Sequence, residues 1–106
     1  MTAALINVPK KAKGGDVIEI KTLMSHIMET GYRHTTSGVA IPRDIITSFT
    51  CRFEGEEIFR ADLFPATAAN PFISFFTVAT RSGKFDFEWI GDNGFSETAS
   101  ASITVE

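Results

Sequence analysis

With 106 residues, a formal charge of −3 and a pI near 5.3, the chain has room for one hydrophobic core and reads as a single domain, residues 1–106, too short to add a cofactor domain. Its Lys and Arg residues are scattered and outnumbered by acids, which excludes the basic face a nucleic-acid binder needs. No window approaches the roughly 18 apolar residues that span a bilayer, and a lone cysteine, Cys51, excludes an internal disulfide.

Residues 3–6 are a very short apolar run, and Lys10, Lys11 and Lys13 follow it instead of preceding it, which is not the layout of a secretory signal. By itself the chain reads as cytoplasmic. Residues 4–8 predict a short first strand stopped by Pro9, and residues 10–15 a basic turn ending in Gly14-Gly15-Asp16. Residues 17–23 predict the next strand, with Ile18 and Ile20 on the inner parity and Glu19 and Lys21 on the other. From residue 24 to 44 the periodicity fails. A connection of about twenty residues in a compact domain is functional or mobile, and this one holds both histidines, the only tyrosine, Met24 and Met28. It is read as a surface loop or an irregular edge strand.

Alternation returns at Ile45, where Thr47, Phe49, Cys51 and Phe53 share a parity that places Cys51 on the core side. An acidic turn, Glu54-Gly55-Glu56-Glu57, joins this strand to residues 58–63, with Phe59, Ala61 and Leu63 inward. Residues 64–71 cross over as one loose helical turn between prolines. Residues 71–94 then read as two strands forming a hairpin through a tight turn at Arg81-Ser82-Gly83-Lys84, with a second turn at Asp92-Asn93-Gly94. In its second strand Phe85, Phe87 and Trp89 alternate with Lys84, Asp86 and Glu88, giving one buried and one wet face. Its first strand differs: Phe72, Phe76 and Val78 share one parity and Ile73, Phe75 and Ala79 the other, so both faces are largely apolar. A sheet turns one face to its own core, so something must cover the other. Two covers are open: the segment 24–44 of the chain itself, or another polypeptide. Residues 95–105 close the chain, with Ala99, Ala101, Ile103 and Val105 inward.

About seven short strands with turn signals every 8–12 residues or so and no helix of normal length predict an all-β fold, an immunoglobulin-like antiparallel β-sandwich. Sandwich copper sites need a thiolate, two imidazoles and a thioether, with His and Met usually following the Cys; here every His and Met precedes Cys51. One Cys and two distant His do not close a zinc shell. Cys51 reads as a buried thiol rather than a nucleophile, because reactive thiolates sit in open, electropositive places. Glu29, His26 and His34 have no motif pairing them with a nucleophile or a phosphate loop. No catalytic, metal or cofactor residue is therefore assigned. The alternative is a small metal-binding or redox sandwich using His26, His34 and Cys51. A binding surface suits the residues better: His26, Met28, Tyr32 and Arg33 from the irregular segment are side chains that protein interfaces favour, and Phe72, Phe76 and Val78 join them from the two-faced strand.

The stretches LINVPKKAKGGDVIEIKTLMSHIMETGYR (residues 5–33) and IPRDIITSFTCRFEGEEIFRADLFPATAANPFISFFTVAT (residues 41–80), and the later W-x-x-D-x-G from Trp89 to Gly94, closely resemble the SoxZ family. That family is the Z subunit of the sulfur-compound carrier in the Sox thiosulfate-oxidising system. The resemblance implies an immunoglobulin-like domain that pairs with a SoxY-like subunit, whose C-terminal cysteine carries the sulfur intermediate to other Sox enzymes. It also implies a non-catalytic, periplasmic chain that lacks its own signal and is exported with a signal-bearing partner. Ile27 departs from the His-Pro-Met-Glu pattern of the family and leaves the backbone before Met28 less constrained. Without its partner, a chain with apolar surface and unpaired strand edges is expected to form a homodimer.

Overall fold

The structure is a computed structural model describing residues 4–64, 67 and 69–106. It contains eight strands in two facing sheets. Strands β1 (Ala4–Asn7), β3 (Val17–Met24) and β6 (Phe72–Val78) form a three-stranded antiparallel sheet in the order β1-β3-β6. Strands β2 (Lys11–Ala12), β8 (Ser96–Val105), β7 (Gly83–Gly91), β4 (Ile46–Phe53) and β5 (Glu56–Asp62) form a five-stranded sheet in that order. A 3-10 turn, Asp92–Gly94, joins β7 to β8. Two such sheets, each apolar on its inner face, are the immunoglobulin-like sandwich that the alternation predicts.

The core assembles around Phe49. Its ring centroid lies 5.2 Å from Trp89, 6.2 Å from Phe59 and from Phe87, and 6.3 Å from Phe75. Phe49, Phe59, Phe87 and Trp89 come from the larger sheet and Phe75 from the smaller, so this cluster welds the two layers. Phe75 also stacks on Phe59 with centroids 4.3 Å apart and the rings 2° from parallel. Register explains the clustering: Phe49 pairs with Trp89, Cys51 with Phe87 and Phe53 with Phe85 across the β4–β7 ladder, one inward residue opposite another. Each large apolar side chain fully buried here stabilises the fold by about 1.5–3 kcal/mol.

Several sequence readings change in three dimensions. Residues 71–94 do not form a hairpin. β6 pairs with β3, whereas β7 pairs with β4 and β8, so the segment between them is an arch from one sheet to the other. Residues 79–82 reach far enough at roughly 3.3 Å per residue to cross the ~10 Å between layers. Gly83 ends this arch at a point of close approach, where a Cβ would lie 2.6 Å from Phe53 Cζ and 2.8 Å from Glu54 Cγ. The basic segment expected as a turn contributes β2, which runs parallel to β8 and makes the strand count eight instead of seven. A two-residue pattern is too short for periodicity to register. The acidic turn is also tighter than expected. Glu54 and Gly55 alone take positive φ, 50° and 85°, as a two-residue hairpin turn requires, and a bulge at Cys51/Arg52 adjusts the register behind it. The predicted helical turn in residues 64–71 lies partly outside the described residues; Thr67 N–H donates to Phe64 O at 2.9 Å.

The irregular segment proves to be an excursion between β3, which takes Met24, and β4. It is drawn together by isolated bridges at Glu29 with Asp44 and at His34 with Ala40. Among the described residues no helix is long and apolar enough to cross a membrane.

Candidate partner interface

The outer face of the three-stranded sheet gathers several exposed apolar side chains, while others, such as Ile27, Val39 and Phe64, lie elsewhere on the surface. Phe72 is 61%, Phe76 66% and Val78 52% exposed, while Phe75 and Ala79 on the opposite parity are buried. Segment 24–44 therefore does not roof this face. Register places Val17 beside Val78, Glu19 beside Phe76, Lys21 beside Ser74 and Leu23 beside Phe72, with Leu5 next to Leu23 on β1. The face thus has two apolar ends, Leu5/Leu23/Phe72 and Val17/Phe76/Val78. A polar band divides them: Ser74 Oγ donates to Glu19 Oε2 at 2.9 Å, and Lys21 Nζ lies 3.7 Å from Glu19 Oε1. Leu5 and Val17 are exposed and belong to this face, yet the sequence did not single them out. Val17 shares its parity with Glu19 and Lys21, which read as solvent-facing, and the neighbours of Leu5 are set by a register that only pairing determines.

The four candidates from the irregular segment separate. Tyr32 is 80% exposed. Arg33 is also exposed and grips Glu29, with Nη2 donating to Oε1 at 2.6 Å and Nε to Oε2 at 3.3 Å. This hydrogen bond holds the Glu29 carboxyl below its ordinary range and raises Arg33. His26 and Met28, expected at the surface, are 8% and 5% exposed, a correction to the sequence reading. Both close one end of the core. His26 Nδ1 accepts the Met28 N–H at 3.1 Å, its ring meets Phe95 edge-on at 4.8 Å, and Nε2 lies 3.7 Å from Asp44 Oδ1. Asn70 ties this corner to the crossover, its Oδ1 accepting the His26 N–H at 2.9 Å and its own N–H donating to His26 O at 2.7 Å. Met28 sits at φ 53°, and its Sδ accepts the Ile46 N–H at 3.3 Å. A residue before proline is pushed away from helical angles and proline itself holds φ near −65°; Ile27 imposes neither restriction on this turn.

A second clamp fixes the base of the excursion. Arg43 donates from Nε and Nη2 to the two Asp92 oxygens at 2.8 and 2.9 Å, and Asp92 Oδ2 also accepts the Ile45 N–H at 3.2 Å. The guanidinium holds the Asp92 carboxyl below its ordinary range, and the carboxylate raises Arg43.

Cys51 is wholly buried between Phe59 and Phe87 in the β-ladder. Burial, with a smaller contribution from Asp86, pushes its thiol up to about 12, which removes the thiolate that nucleophilic or metal-binding chemistry would use. No group of three or more His, Cys, Asp or Glu placed to hold a metal occurs among the described residues.

Solved structures with the same fold include a superoxide reductase (neelaredoxin) from Ignicoccus hospitalis, 19% identical, covering 97% of this chain and 80% of that one with a TM-score of 0.76. A putative superoxide reductase from Thermotoga maritima is 18% identical over 97% and 85% of the two chains, also at 0.76. The sulfur carrier protein SoxY from Chlorobium limicola f thiosulfatophilum is 13% identical over 98% and 79%, at 0.69. At these identities the likeness is one of fold. No curated protein matches the chain. The family described as "Sulphur oxidation protein SoxZ" matches residues 6–102. With that match running from β1 into β8, the chain belongs to the SoxZ family of sulfur-oxidation proteins.

Proposed function

We propose that the chain is the non-catalytic subunit of a sulfur-compound carrier, pairing with a SoxY-like chain whose C-terminal cysteine holds the sulfur intermediate while other Sox enzymes act on it. The observation that carries this reading is the outward exposure of Phe72, Phe76 and Val78 on one continuous strand. Apolar side chains massed on a sheet face gain about 25 cal/mol per Å² when another surface removes them from water. The buried, protonated Cys51 supports the same division of labour, since this subunit then offers no thiol of its own to the intermediate. Tyr32 and Arg33, exposed on the excursion, are further contact candidates. The working compartment is the periplasm, reached by export of the folded pair on the partner's signal.

Mixing the chain with the SoxY of the same organism tests this reading by light scattering. A stoichiometric heterodimer is the expected result, and two species that stay separate at micromolar concentration would overturn it. Phe76→Lys is expected to weaken the pair by roughly tenfold or more while leaving the unfolding midpoint of the isolated chain nearly unchanged. Localisation is read by fractionating cells that express the chain with and without a signal-bearing SoxY: periplasmic recovery should require the partner.

A further inference from the structure

Strand β6 is the last strand of its sheet, and its backbone shows which residues face the open side. Ala79 N–H donates to Asp16 O at 2.8 Å, Ala79 O accepts Gly15 N–H at 2.8 Å, and Pro71 O accepts Met24 N–H at 3.1 Å. In an antiparallel ladder every second residue turns both backbone groups to the same neighbour. The odd-numbered residues Ile73, Phe75 and Thr77 therefore face β3. Phe72, Ser74, Phe76 and Val78 present their N–H and C=O groups to an unoccupied edge, and these are the residues whose side chains are exposed on the outer face. Natural edges are usually blunted by Lys, Pro or charge; FISFFTV contains none of these.

A second feature lies along the same edge. At the end of β6, where residues 77–81 leave the sheet, the seam of the sandwich is open as a groove of about 500 Å³, lined by the apolar Phe53, Ile58, Val78, Phe85 and Ile103 and by the charged Glu56 and Arg81. A strand laid against β6 would place alternate side chains beside Phe72, Phe76 and Val78, and the end of it that passes Val78 would reach this groove.

We infer that β6 is completed in the carrier by an antiparallel strand of the SoxY-like partner, so that the three-stranded sheet continues across the subunit boundary. The incoming strand is apolar where it lies beside Phe72, Phe76 and Val78, the same chemistry as β6 itself. A SoxY from Chlorobium limicola f thiosulfatophilum has this fold over 98% of the present chain, so a partner of that kind has an equivalent edge to offer. The inference rests on the pairing proposed above and adds its geometry.

Amide hydrogen exchange by NMR on the ¹⁵N-labelled chain, alone and with the SoxY of the same organism, tests it. The expected result is at least tenfold slower exchange at Phe72, Ser74, Phe76 and Val78 in the complex, with Ile73, Phe75 and Thr77 already protected in the free chain. Ser74→Pro removes an N–H that points to the open edge and no backbone bond to β3; the one β3 contact it loses is the Ser74 Oγ bond to Glu19, which Ser74→Ala removes alone as the control. The proline variant should lower affinity at least tenfold with a near-native spectrum; should it unfold, the exchange experiment on the unaltered chain still decides. A complex in which the even-numbered amides exchange as in the free chain overturns the strand addition alone. No complex at all overturns both this and the pairing. Protection of the same amides in the chain by itself, unchanged by SoxY, would assign the edge to a second copy and overturn the inference.

Discussion

The two sheets solve the same burial problem with different outcomes. The larger sheet turns Phe49, Phe85, Phe87 and Trp89 inward and lines its outer side with groups such as Arg52, Glu88, Ser100 and Ser102, so one face is dry and the other is wet. The smaller sheet buries Ile18, Ile20 and Phe75 in the same core but leaves Leu5, Val17, Phe72, Phe76 and Val78 facing solvent. Two-faced apolar strands ordinarily lie inside a protein with cover on both sides. The difference teaches that folding gives the larger sheet one dry and one wet face, whereas it leaves the smaller sheet with apolar side chains on both of its faces.

The strongest way to break this comparison is to truncate one ring from each face. Trp89→Ala is expected to cost about 3–5 kcal/mol of stability in urea unfolding, because it removes the largest fully buried ring of the aromatic cluster. Phe76→Ala should cost less than about 1 kcal/mol. Equal losses would show that the outer face is as structural as the inner. Trp89→Phe sharpens the point: buried Nε1 has no hydrogen-bond partner among the described residues, so removing that unmet donor offsets part of the lost packing, and the cost should fall well below that of the alanine variant.

A smaller effect is expected at acid pH. Folding depresses Asp92 below its ordinary 3.8 through Arg43, and Glu29 below its ordinary 4.5 through Arg33. A carboxyl whose pKa is lower in the folded chain contributes stability that is present above its unfolded value and lost as the pH falls through the folded one. Arg43→Ala should therefore flatten the acid limb of a plot of thermal midpoint against pH between about 6 and about 2, with a smaller change near neutrality than Trp89→Ala produces.

The smallest expected effect is no reaction. Cys51, with its thiol pushed up to about 12, should resist maleimide labelling in the native chain at a pH of about 8 and react fully once urea exposes it. Rapid native labelling would mean that the sealed side of the sandwich opens.

Much of this architecture is legible in the residues. Alternation around Phe85, Phe87 and Trp89 announced a half-buried strand, the parity of Cys51 placed it in the core, and the double apolar parity of residues 72–79 announced a face left over. His26 and Met28 were misread because side-chain type says little where periodicity is absent. Their burial follows from contacts with Phe95, Asn70 and Ile46, partners far along the chain. The hairpin expected at residues 71–94 failed for a related reason. A short link between two apolar strands is compatible with pairing within one sheet or with crossing to another, and only the competition among all strands for neighbours decides between them.

By itself, then, the sequence determined the sandwich class, the inward parity of its principal strands and the outward rings of β6, because period-2 patterning is a local property of the chain. The tertiary structure decided which strands are neighbours, that β6 ends its sheet with one edge open, and that the excursion leaves the outer face uncovered, because strand order and register are set by contacts between residues distant in sequence.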